Sequence, residues 1–404
     1  MTATPRLPVT ALLGTNMFFS GVIYAATLPY ASLVGVHTLG MSPGLFASVM
    51  SVGAVLGTFV SLGLGYLSDK LPDRRLLVLL TALAGIIGDG MIYAWPTQLS
   101  FVIAMAVVMP LGGACYGQCF AYVRVYYVRH MPARADFMVT ALRTVFTLAW
   151  IVIPPLAGWI AAKFSIFNVF LMSSLSFAVV AGIFALLISD KGTAVQMPPP
   201  VRAEGASLLS TFALPLGTLA GLLALIVMTA AMRILTFTVP LLIVGDLGGT
   251  VTDVGFYAGI TAAVEAPCML LLAYLTTKWT KETILAAAGI VMAVFIGVAS
   301  ILTSMTAFYW LLLLNGLGTA ALMSVNIPYV QDAIKGRVGL STSLMDVVAI
   351  AANLLGATAF GLLTTGGNYR FALMVGAGVA VVGAAIMAFG NMSRLGELRA
   401  AEAV

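Results

Sequence analysis

Twelve long apolar segments dominate the chain and limit what it can fold into. Each has about 20 residues or more, the length an α-helix needs to cross the hydrocarbon core of a bilayer. Only 8% of the 404 residues are charged and 61% are hydrophobic, so the chain has too few charges to cover a water-exposed surface. The sequence therefore predicts an all-α integral membrane protein. The predicted spans are 10–35, 44–68, 75–95, 99–123, 137–162, 166–188, 213–240, 252–277, 282–303, 306–330, 338–365 and 368–391.

The first segment also begins as a signal peptide does, because Arg6 precedes an apolar stretch. It continues past Tyr24 without a clear small-residue cleavage site, so we interpret it as a span. With a cytoplasmic N-terminus, 15 of the 19 basic residues fall on the cytoplasmic side and two, Lys163 and Arg370, on the other. The positive-inside rule therefore predicts that both termini are cytoplasmic.

The longest connection divides the spans six and six. Residues 191–212 are rich in Pro, Gly and charge, and we interpret them as a cytoplasmic linker between bundles at 1–190 and 213–404. The sequences GYLSDKLPDRR at 65–75 and AYLTTKWTKET at 273–283 follow the second helix of each half and share a Tyr-Leu pair and a Lys. This similarity predicts two parallel six-helix repeats.

Five ionisable side chains lie within the predicted spans, where each needs a cavity or a partner: Asp89, Arg143, Arg233, Glu265 and Asp346. Glu265 lies about halfway along helix 8. Its carboxyl group either couples transport to protons or substrate, or forms a hydrogen bond to a neighbouring helix. Arg233, in the outer part of helix 7, either attracts an anionic group or helps to seal the outer mouth. For Asp89 we expect a structural hydrogen bond.

Arg143, Thr147 and Trp150 share one face of helix 5. A guanidinium beside an indole suits a sugar, because it offers hydrogen-bond donors to hydroxyls and an apolar surface to the pyranose ring. The alternative is an arginine that extends to the lipid headgroups. Asp346 is the counterpart of Arg143 in the other half, so the two form a hypothetical bridge that closes the cytoplasmic side. Exchanging their charges should then restore some of the transport lost in each single mutant.

Neutral polar side chains also recur in the spans, and they suit a hydroxyl-rich neutral ligand better than an ion. Each of them can instead serve as a hydrogen bond between helices. The candidates are Asn16, Tyr24, Gln118, Asn326 and Asn353.

Motifs for other chemistry are missing from the sequence. Cys115 and Cys119 lie four residues apart, but no His lies in a span facing them, so we expect no metal and no cofactor. No phosphate-binding loop, nucleophile motif or cluster of carboxylates and histidines is found. We therefore expect neither an enzyme nor a nucleic-acid-binding protein. The alternative from a different functional class is a membrane-embedded enzyme or a receptor that does not transport.

Several motifs occur in the same order as in a known superfamily. Gly65, Asp69, Lys70, Arg74 and Arg75 match the helix 2–3 loop of the major facilitator superfamily, although a proline replaces the usual glycine of that loop. A narrower resemblance is to the bacterial sugar efflux transporter family. The matching segments are SDKLPDRR at 68–75, LRTVFTLAWIVIPPLAG at 142–158, VEAPCMLLLAY at 264–274 and YVQDAIKGR at 329–337. Asp346 departs from that pattern, in which we expect an amide.

The resemblance implies a fold and a function. The fold is twelve helices in two pseudo-symmetric bundles, with helices 1, 4, 7 and 10 around a central cavity. The function is proton-coupled efflux of a sugar or a small sugar-like solute by alternating access. Glu265 and Asp346 would carry protons, and Asp69, Arg74 and Arg75 would form a gate. We expect a monomer in the bacterial inner membrane. The alternative cargo is a drug or a siderophore-like metabolite, which the 21 Met and 21 Phe favour.

Overall fold

The computed structural model describes residues 7–71, 73–195, 216–333 and 338–402, and every regular element in these ranges is helical. Twelve helices in the described ranges are long and apolar enough to cross a membrane, which confirms the twelve predicted spans. They are α1 (Val9–Tyr30), α2 (Pro43–Ser68), α3 (Arg75–Ala94), α4 (Gln98–His130), α5 (Pro132–Lys163), α6 (Asn168–Ser189), α7 (Leu216–Gly245), α8 (Val251–Leu275), α9 (Lys281–Ile301), α10 (Met305–Asp332), α11 (Leu344–Leu363) and α12 (Tyr369–Asn391).

The fourth helix is longer than its apolar segment. The segment was predicted to end at residue 123, whereas α4 continues to His130 and carries Arg124 and Arg129 as exposed side chains. Hydrophobicity marks where a helix leaves the bilayer, but the hydrogen-bonded backbone does not have to end there. These basic residues therefore lie on a continuous helix rather than on a loop.

The chain divides into two compact units. The first comprises Met1–Met41, Val49–Val201 and Thr250–Gly259, and the second comprises Ser42–Ser48, Arg202–Gly249 and Ile260–Val404. The first unit holds most of α1 to α6, and the second holds most of α7 to α12. The start of α2 belongs to the second unit and the start of α8 to the first. Most of the predicted linker lies outside the described residues, so the boundaries at 190 and 213 stay a prediction.

Corresponding helices pair in the same way in each unit. In the first, α1 packs against α5 and α6, and α3 packs against α6. In the second, α7 packs against α11 and α12, and α9 packs against α12. Each helix pair of the second unit thus corresponds to a pair of the first unit whose helix numbers are lower by six. This is the arrangement expected of parallel repeats.

Glycines allow the closest of these pairings. A Cβ added to Gly85 on α3 would lie 2.4 Å from the ring of Phe177 on α6. The corresponding helices of the second unit also meet at a glycine, since a Cβ on Gly289 of α9 would lie 2.9 Å from the Cβ of Ala384 on α12. Small residues of this kind let backbones approach and gain dispersion energy where lipid provides no hydrophobic driving force.

The start of α8 packs against α5 in the first unit. A Cβ added to Gly255 would lie 2.3 Å from the carbonyl oxygen of Pro154, and one added to Gly259 would lie 2.7 Å from the ring of Pro155. The hydroxyl of Tyr30 donates to the same Pro154 carbonyl at 2.7 Å. The two glycines therefore let this part of α8 pack closely against the proline-containing α5, and the Tyr30 hydroxyl joins α1 to the same carbonyl of α5.

Two helices at corresponding positions of the repeats are interrupted. In α4, a π-helical turn at Ala104–Val108 precedes Pro110, and the helix breaks again between Gly112 and Cys115. In α10, the helix breaks at Val325, three residues before a proline that has no N–H for the helical ladder. Interrupted helices at matching places of two repeats are typical of transporter binding sites, because they leave backbone groups for a ligand or a side chain.

Candidate functional site

The predicted solute-binding residues divide equally between the two units, and each unit is described by itself. The first unit contains Asn16, Tyr24, Gln118, Arg143 and Trp150. The second unit contains Arg233, Glu265, Asn326, Asp346 and Asn353.

In the first unit, polar side chains of α1 bond to α4 near its break. The hydroxyl of Tyr24 donates to the carbonyl oxygen of Gly113 at 2.8 Å. One turn or more away, Asn16 is fully buried and its Oδ1 accepts from the Sγ of Cys119 at 3.7 Å. Gln118 is half-buried on the same segment of α4. Asn16 and Tyr24 thus contribute to the contact between helices, and Tyr24 caps a carbonyl at an irregular part of the backbone.

An aromatic cluster surrounds Tyr116 on α4. Its ring centroid lies 4.5 Å from that of Phe146 on α5, 5.8 Å from that of Phe120 and 6.3 Å from that of Tyr24 on α1. The sequence analysis missed this cluster. The spacing of Tyr116 and Phe120 was a local signal, but the approach of Phe146 and Tyr24 depends on how three helices pack. Rings grouped in this way offer apolar faces to a sugar ring.

The predicted face of Arg143, Thr147 and Trp150 has no bonded network. Arg143 is exposed and Trp150 is half-buried, and within the described part of the chain no hydrogen bond or ring contact joins them. The hydroxyl of Thr147 donates to the backbone carbonyl of Arg143 at 3.1 Å, so it is already engaged by its own helix. The guanidinium of Arg143 lies within electrostatic range of the Tyr116 hydroxyl. Arg143 is thus free to meet a solute beside the aromatic cluster.

Arg75, predicted as a gate residue, is buried and bonded within its own unit. Its Nη1 donates to the carbonyl oxygens of Leu187 at 2.6 Å and Asp190 at 3.0 Å, and to Oγ1 of Thr193 at 2.6 Å. Its Nη2 forms an ion pair of 2.6 Å with Oδ2 of Asp73. The side chain therefore joins the start of α3 to the end of α6, where several carbonyls lack helical partners.

The rest of the predicted gate lies beside this ion pair. Nη2 of Arg74 donates to Oγ of Ser68 at 2.9 Å, whereas the side chain of Asp69 lies outside the described residues. Burial opposes ionisation of Asp73, but the hydrogen bonds and the positive charge of Arg75 outweigh it and lower the pKa of that carboxyl below its ordinary value. The gating role of these residues stays a prediction.

Glu265 has no hydrogen-bond or ion-pair partner among the described residues of the second unit. Its neighbour one turn earlier on α8, Thr261, accepts at Oγ1 a hydrogen bond of 3.0 Å from Nδ2 of Asn315 on α10. The half-buried carboxyl of Glu265 takes part in no hydrogen bond or ion pair with any described residue. The helices beside it are held together by other groups, which leaves this carboxyl available for a ligand or a proton.

Other polar atoms of the second unit are buried without partners. Among the described residues these include Nε of Arg233, Oδ1 of Asn326 and Nδ2 of Asn353. Asp346, by contrast, is exposed near the start of α11. Native structures leave few buried polar atoms unsatisfied, and those that remain often mark a place for water, an ion or a ligand.

Asp89 has the structural role predicted for it. It is completely buried on α3, and its Oδ2 accepts a hydrogen bond of 2.5 Å from Oγ of Ser173 on α6. The neighbouring Ser174 donates to the carbonyl of Ile86 at 3.1 Å. The expected hydrogen bond between helices is therefore confirmed.

The three cysteines lie within spans and are reduced. Cys115 and Cys119 are buried with their sulfur atoms 3.9 Å apart, and Cys268 is half-buried on α8. Within the described ranges, no group of three or more His, Cys, Asp or Glu side chains is close enough to hold a metal ion.

Comparisons with known proteins agree with this architecture. A sequence model described as Major Facilitator Superfamily matches residues 3–154, 132–295 and 221–397. The chain is 27% identical to sugar efflux transporter A of Dickeya chrysanthemi over 81% of each chain. It is 26% identical to sugar efflux transporter C of Escherichia coli over 81% of this chain and 82% of that one. A solved structure of a peptide transporter, POT, in complex with sulfate, has the same fold, with a TM-score of 0.80, 13% identity and 98% coverage of both chains.

Proposed function

The chain belongs to the Major Facilitator Superfamily, and on this basis we propose that it exports sugars or small sugar-like solutes in exchange for protons. The observation that carries the choice of solute is its similarity to two sugar efflux transporters over about four fifths of the chain. Twelve spans in two repeats supply the machinery for alternating access, in which the two halves expose the solute to one side of the membrane at a time.

The aromatic cluster supports a sugar as the solute. Tyr116 and Phe146 present ring faces beside the exposed guanidinium of Arg143. Rings bind the apolar face of a pyranose, while guanidinium and amide groups bind its hydroxyls. In this proposal the half-buried amide of Gln118 and the indole of Trp150 complete the part of the site that the first unit contributes.

Glu265 supports coupling to protons. A half-buried carboxyl without a partner among the described residues, thirteen residues after the predicted outer start of its span at 252, is costly as an anion in a membrane. Binding a proton removes that cost, and binding a solute hydroxyl offsets it. If the Glu265 carboxyl binds a proton and the solute in turn, it couples the movement of protons to the movement of the solute. Asp346, which is exposed on α11, is proposed as a second acceptor on the proton path.

The distribution of Phe gives lipophilic cargo little support. Eight of the 21 phenylalanines are among the largest fully buried side chains and serve packing: Phe46, Phe101, Phe170, Phe177, Phe184, Phe295, Phe308 and Phe360. Phe59, Phe137 and Phe164 are highly exposed on the outside of helices. The eight buried phenylalanines are thus explained by packing and do not require a lipophilic cargo.

The proposal includes a place and an orientation. We place the protein in the bacterial inner membrane as a monomer with both termini in the cytoplasm, because the basic residues concentrate on that side. Protons and the solute are its partners, and the proposed cycle uses no nucleotide, metal or other cofactor.

The test is proton movement in proteoliposomes loaded with sugar. For the wild-type protein we expect an outward sugar gradient to drive protons in the opposite direction, reported by a pH-sensitive dye inside the vesicles. Glu265→Gln should lower this proton flux by a hundredfold or more, because an amide cannot carry a proton, while sugar exchange between the two sides continues. Asp136→Asn, which changes an exposed carboxylate of the first unit, should behave like the wild type.

Two outcomes would count against the proposal in different ways. Sugar exchange without proton movement in the wild type would show that Glu265 is no proton carrier. Absence of exchange with every sugar would remove the transport function itself.

A further inference from the structure

Arg233 lies in the middle of the second unit with its stem held between two helices. A Cβ added to Gly356 on α11 would lie 2.5 Å from the Cβ of Arg233 and 2.7 Å from the carbonyl oxygen of Ala230 on α7. Only a glycine fits at this position of α11, so its backbone rests directly on the start of the arginine side chain. The position of the guanidinium is thus restricted by packing before any ligand binds.

The positive charge of Arg233 is not compensated by the protein. Its guanidinium takes part in no ion pair or hydrogen bond with any described residue, and its Nε is buried. Two other carboxylates of the same unit already have basic partners, since Asp246 pairs with Arg370 at 3.4 Å and Asp332 pairs with Lys281. An unpaired charge at membrane depth costs at least a few kcal/mol, so its retention calls for a ligand that offsets the cost.

A second unsatisfied group lies on the helix that covers Arg233. Asn353 precedes Gly356 by three residues, so both lie on one face of α11. Its Nδ2 is buried and has no partner among the described residues. A guanidinium has five N–H donors and no acceptor, and the amide adds further donors. The packed helices α7 and α11 thus each carry a donor without a partner among the described residues, one of them positively charged, and such donors favour an oxyanion.

The side chain of Arg233 is accessible to such a ligand. The residue as a whole is half-buried rather than sealed within the protein, although its Nε is covered. A planar guanidinium binds carboxylate or phosphate through two parallel hydrogen bonds, which a neutral hydroxyl cannot match in strength. The arrangement thus favours an anionic group over the hydroxyls found on every sugar.

We propose that Arg233, assisted by Asn353, binds the oxyanion of an acidic sugar, a uronate or a sugar phosphate, and gives this transporter a preference for such solutes over neutral sugars. The proposal deepens the sugar-export function proposed above and rests on it. Arg233 is then a specificity residue rather than a part of the outer seal. Hydrogen bonds to charged groups contribute about 1.5–3 kcal/mol, which corresponds to roughly 10- to 100-fold in apparent affinity.

The experiment compares solutes that differ in one group. Wild-type protein in proteoliposomes is given methyl β-glucoside, methyl β-glucuronide and glucose 6-phosphate, and KM is measured for each by exchange. We expect the wild type to bind one or both acidic sugars ~10-fold or more tightly than the glucoside. The two acidic sugars separate carboxylate recognition from phosphate recognition.

Substitutions of Arg233 test whether this residue is responsible for the preference for acidic sugars. Arg233→Gln should raise KM for the acidic sugars ~10-fold more than it raises KM for the glucoside and so remove the preference, whereas Arg233→Lys should retain part of it. Arg129→Gln, which removes an exposed arginine from the first unit, is the matched control and should keep the full preference.

The possible failures are distinguishable. Equal KM values for neutral and acidic sugars in the wild type, or equal losses for both classes in Arg233→Gln, would overturn the proposal while sugar export stands. If Arg233→Gln does not fold, competition between the glucuronide and the glucoside on wild-type protein decides the question alone. Absence of exchange with all three sugars would overturn sugar export, and the preference with it.

Discussion

Two arginines, the buried Arg75 of the first unit and the half-buried Arg233 of the second, differ in how their charges are compensated. Arg75 bonds to a carboxylate, to Thr193 and to two carbonyl oxygens at the end of α6. Arg233 bonds to no described residue. Both are set in tightly packed surroundings, so the difference lies in the polar groups around them rather than in depth alone.

The difference separates structural from functional charges in a membrane. A buried charge with a full set of partners fixes the position of the elements it joins, as Arg75 fixes α3 against α6. A buried charge without partners destabilises the protein on its own and becomes favourable only when a ligand completes it. Asp89 is an intermediate case, since its Oδ2 accepts from Ser173 while its Oδ1 is buried without a partner, whereas Glu265 bonds to no described residue at all.

The largest effect on stability is expected for Arg75→Ala. This change removes the ion pair with the half-buried Asp73 and one donor from each of the Leu187 and Asp190 carbonyls, and breaking a buried ion pair costs about 3–5 kcal/mol. The unfolding temperature in detergent should fall steeply, whereas Arg124→Ala, at an exposed arginine of α4, should change the free energy of unfolding by no more than about 0.5 kcal/mol. An unchanged unfolding temperature with lost transport would instead indicate that Arg75 acts as a gate.

A smaller effect of opposite sign is expected for Arg233→Met. Methionine fills similar space without an unpaired charge, so the protein should unfold at the same temperature or higher, with a gain of up to about 2 kcal/mol. Thermal unfolding of ligand-free protein in detergent measures this. A loss comparable to that of Arg75→Ala would mean that Arg233 has a structural partner, and the contrast between the two arginines would then fail.

The smallest effect on stability is expected when the pH is lowered through the range in which the carboxyl group of Asp73 takes up a proton. Its pKa is lower in the folded protein than its ordinary 3.8, so the ionised form stabilises the fold. That contribution is complete above about pH 4 and is lost as the pH falls through the lower folded value. Unfolding temperatures should therefore decrease more steeply in acid for the wild type than for Asp73→Asn. Parallel curves would show that the ion pair with Arg75 contributes no stability.

Much of the fold was predictable because hydrophobic length is a direct physical requirement of the bilayer. The twelve spans follow from it, whereas the expectation of two repeats came from the linker and the repeated loop sequence, and the pairing of helices within each unit was not predicted. The interruptions of α4 and α10 were harder to predict from the sequence. Pro110 and Pro328 are visible in the sequence, but the π-helical turn in α4 depends on packing.

The candidate site was predictable residue by residue but not in its contacts. The intramembrane positions of Glu265 and Arg233 could be inferred from hydropathy, because charge within a span needs an explanation. Whether each charge has a partner depends on which helices meet, and the sequence does not contain that information locally. The aromatic cluster and the contacts of Arg75 with residues more than a hundred positions away were missed for the same reason.

The placement of the cysteines determines how the motion of this protein can be followed. Cys115 and Cys119 are enclosed between helices, so thiol-reactive dyes in water will not reach them in the folded protein. Replacing the half-buried Cys268 with serine then gives a background in which only an introduced cysteine is labelled. Pairs of fluorescent or spin labels, one on each unit, can thus report distance changes during turnover after a single prior substitution.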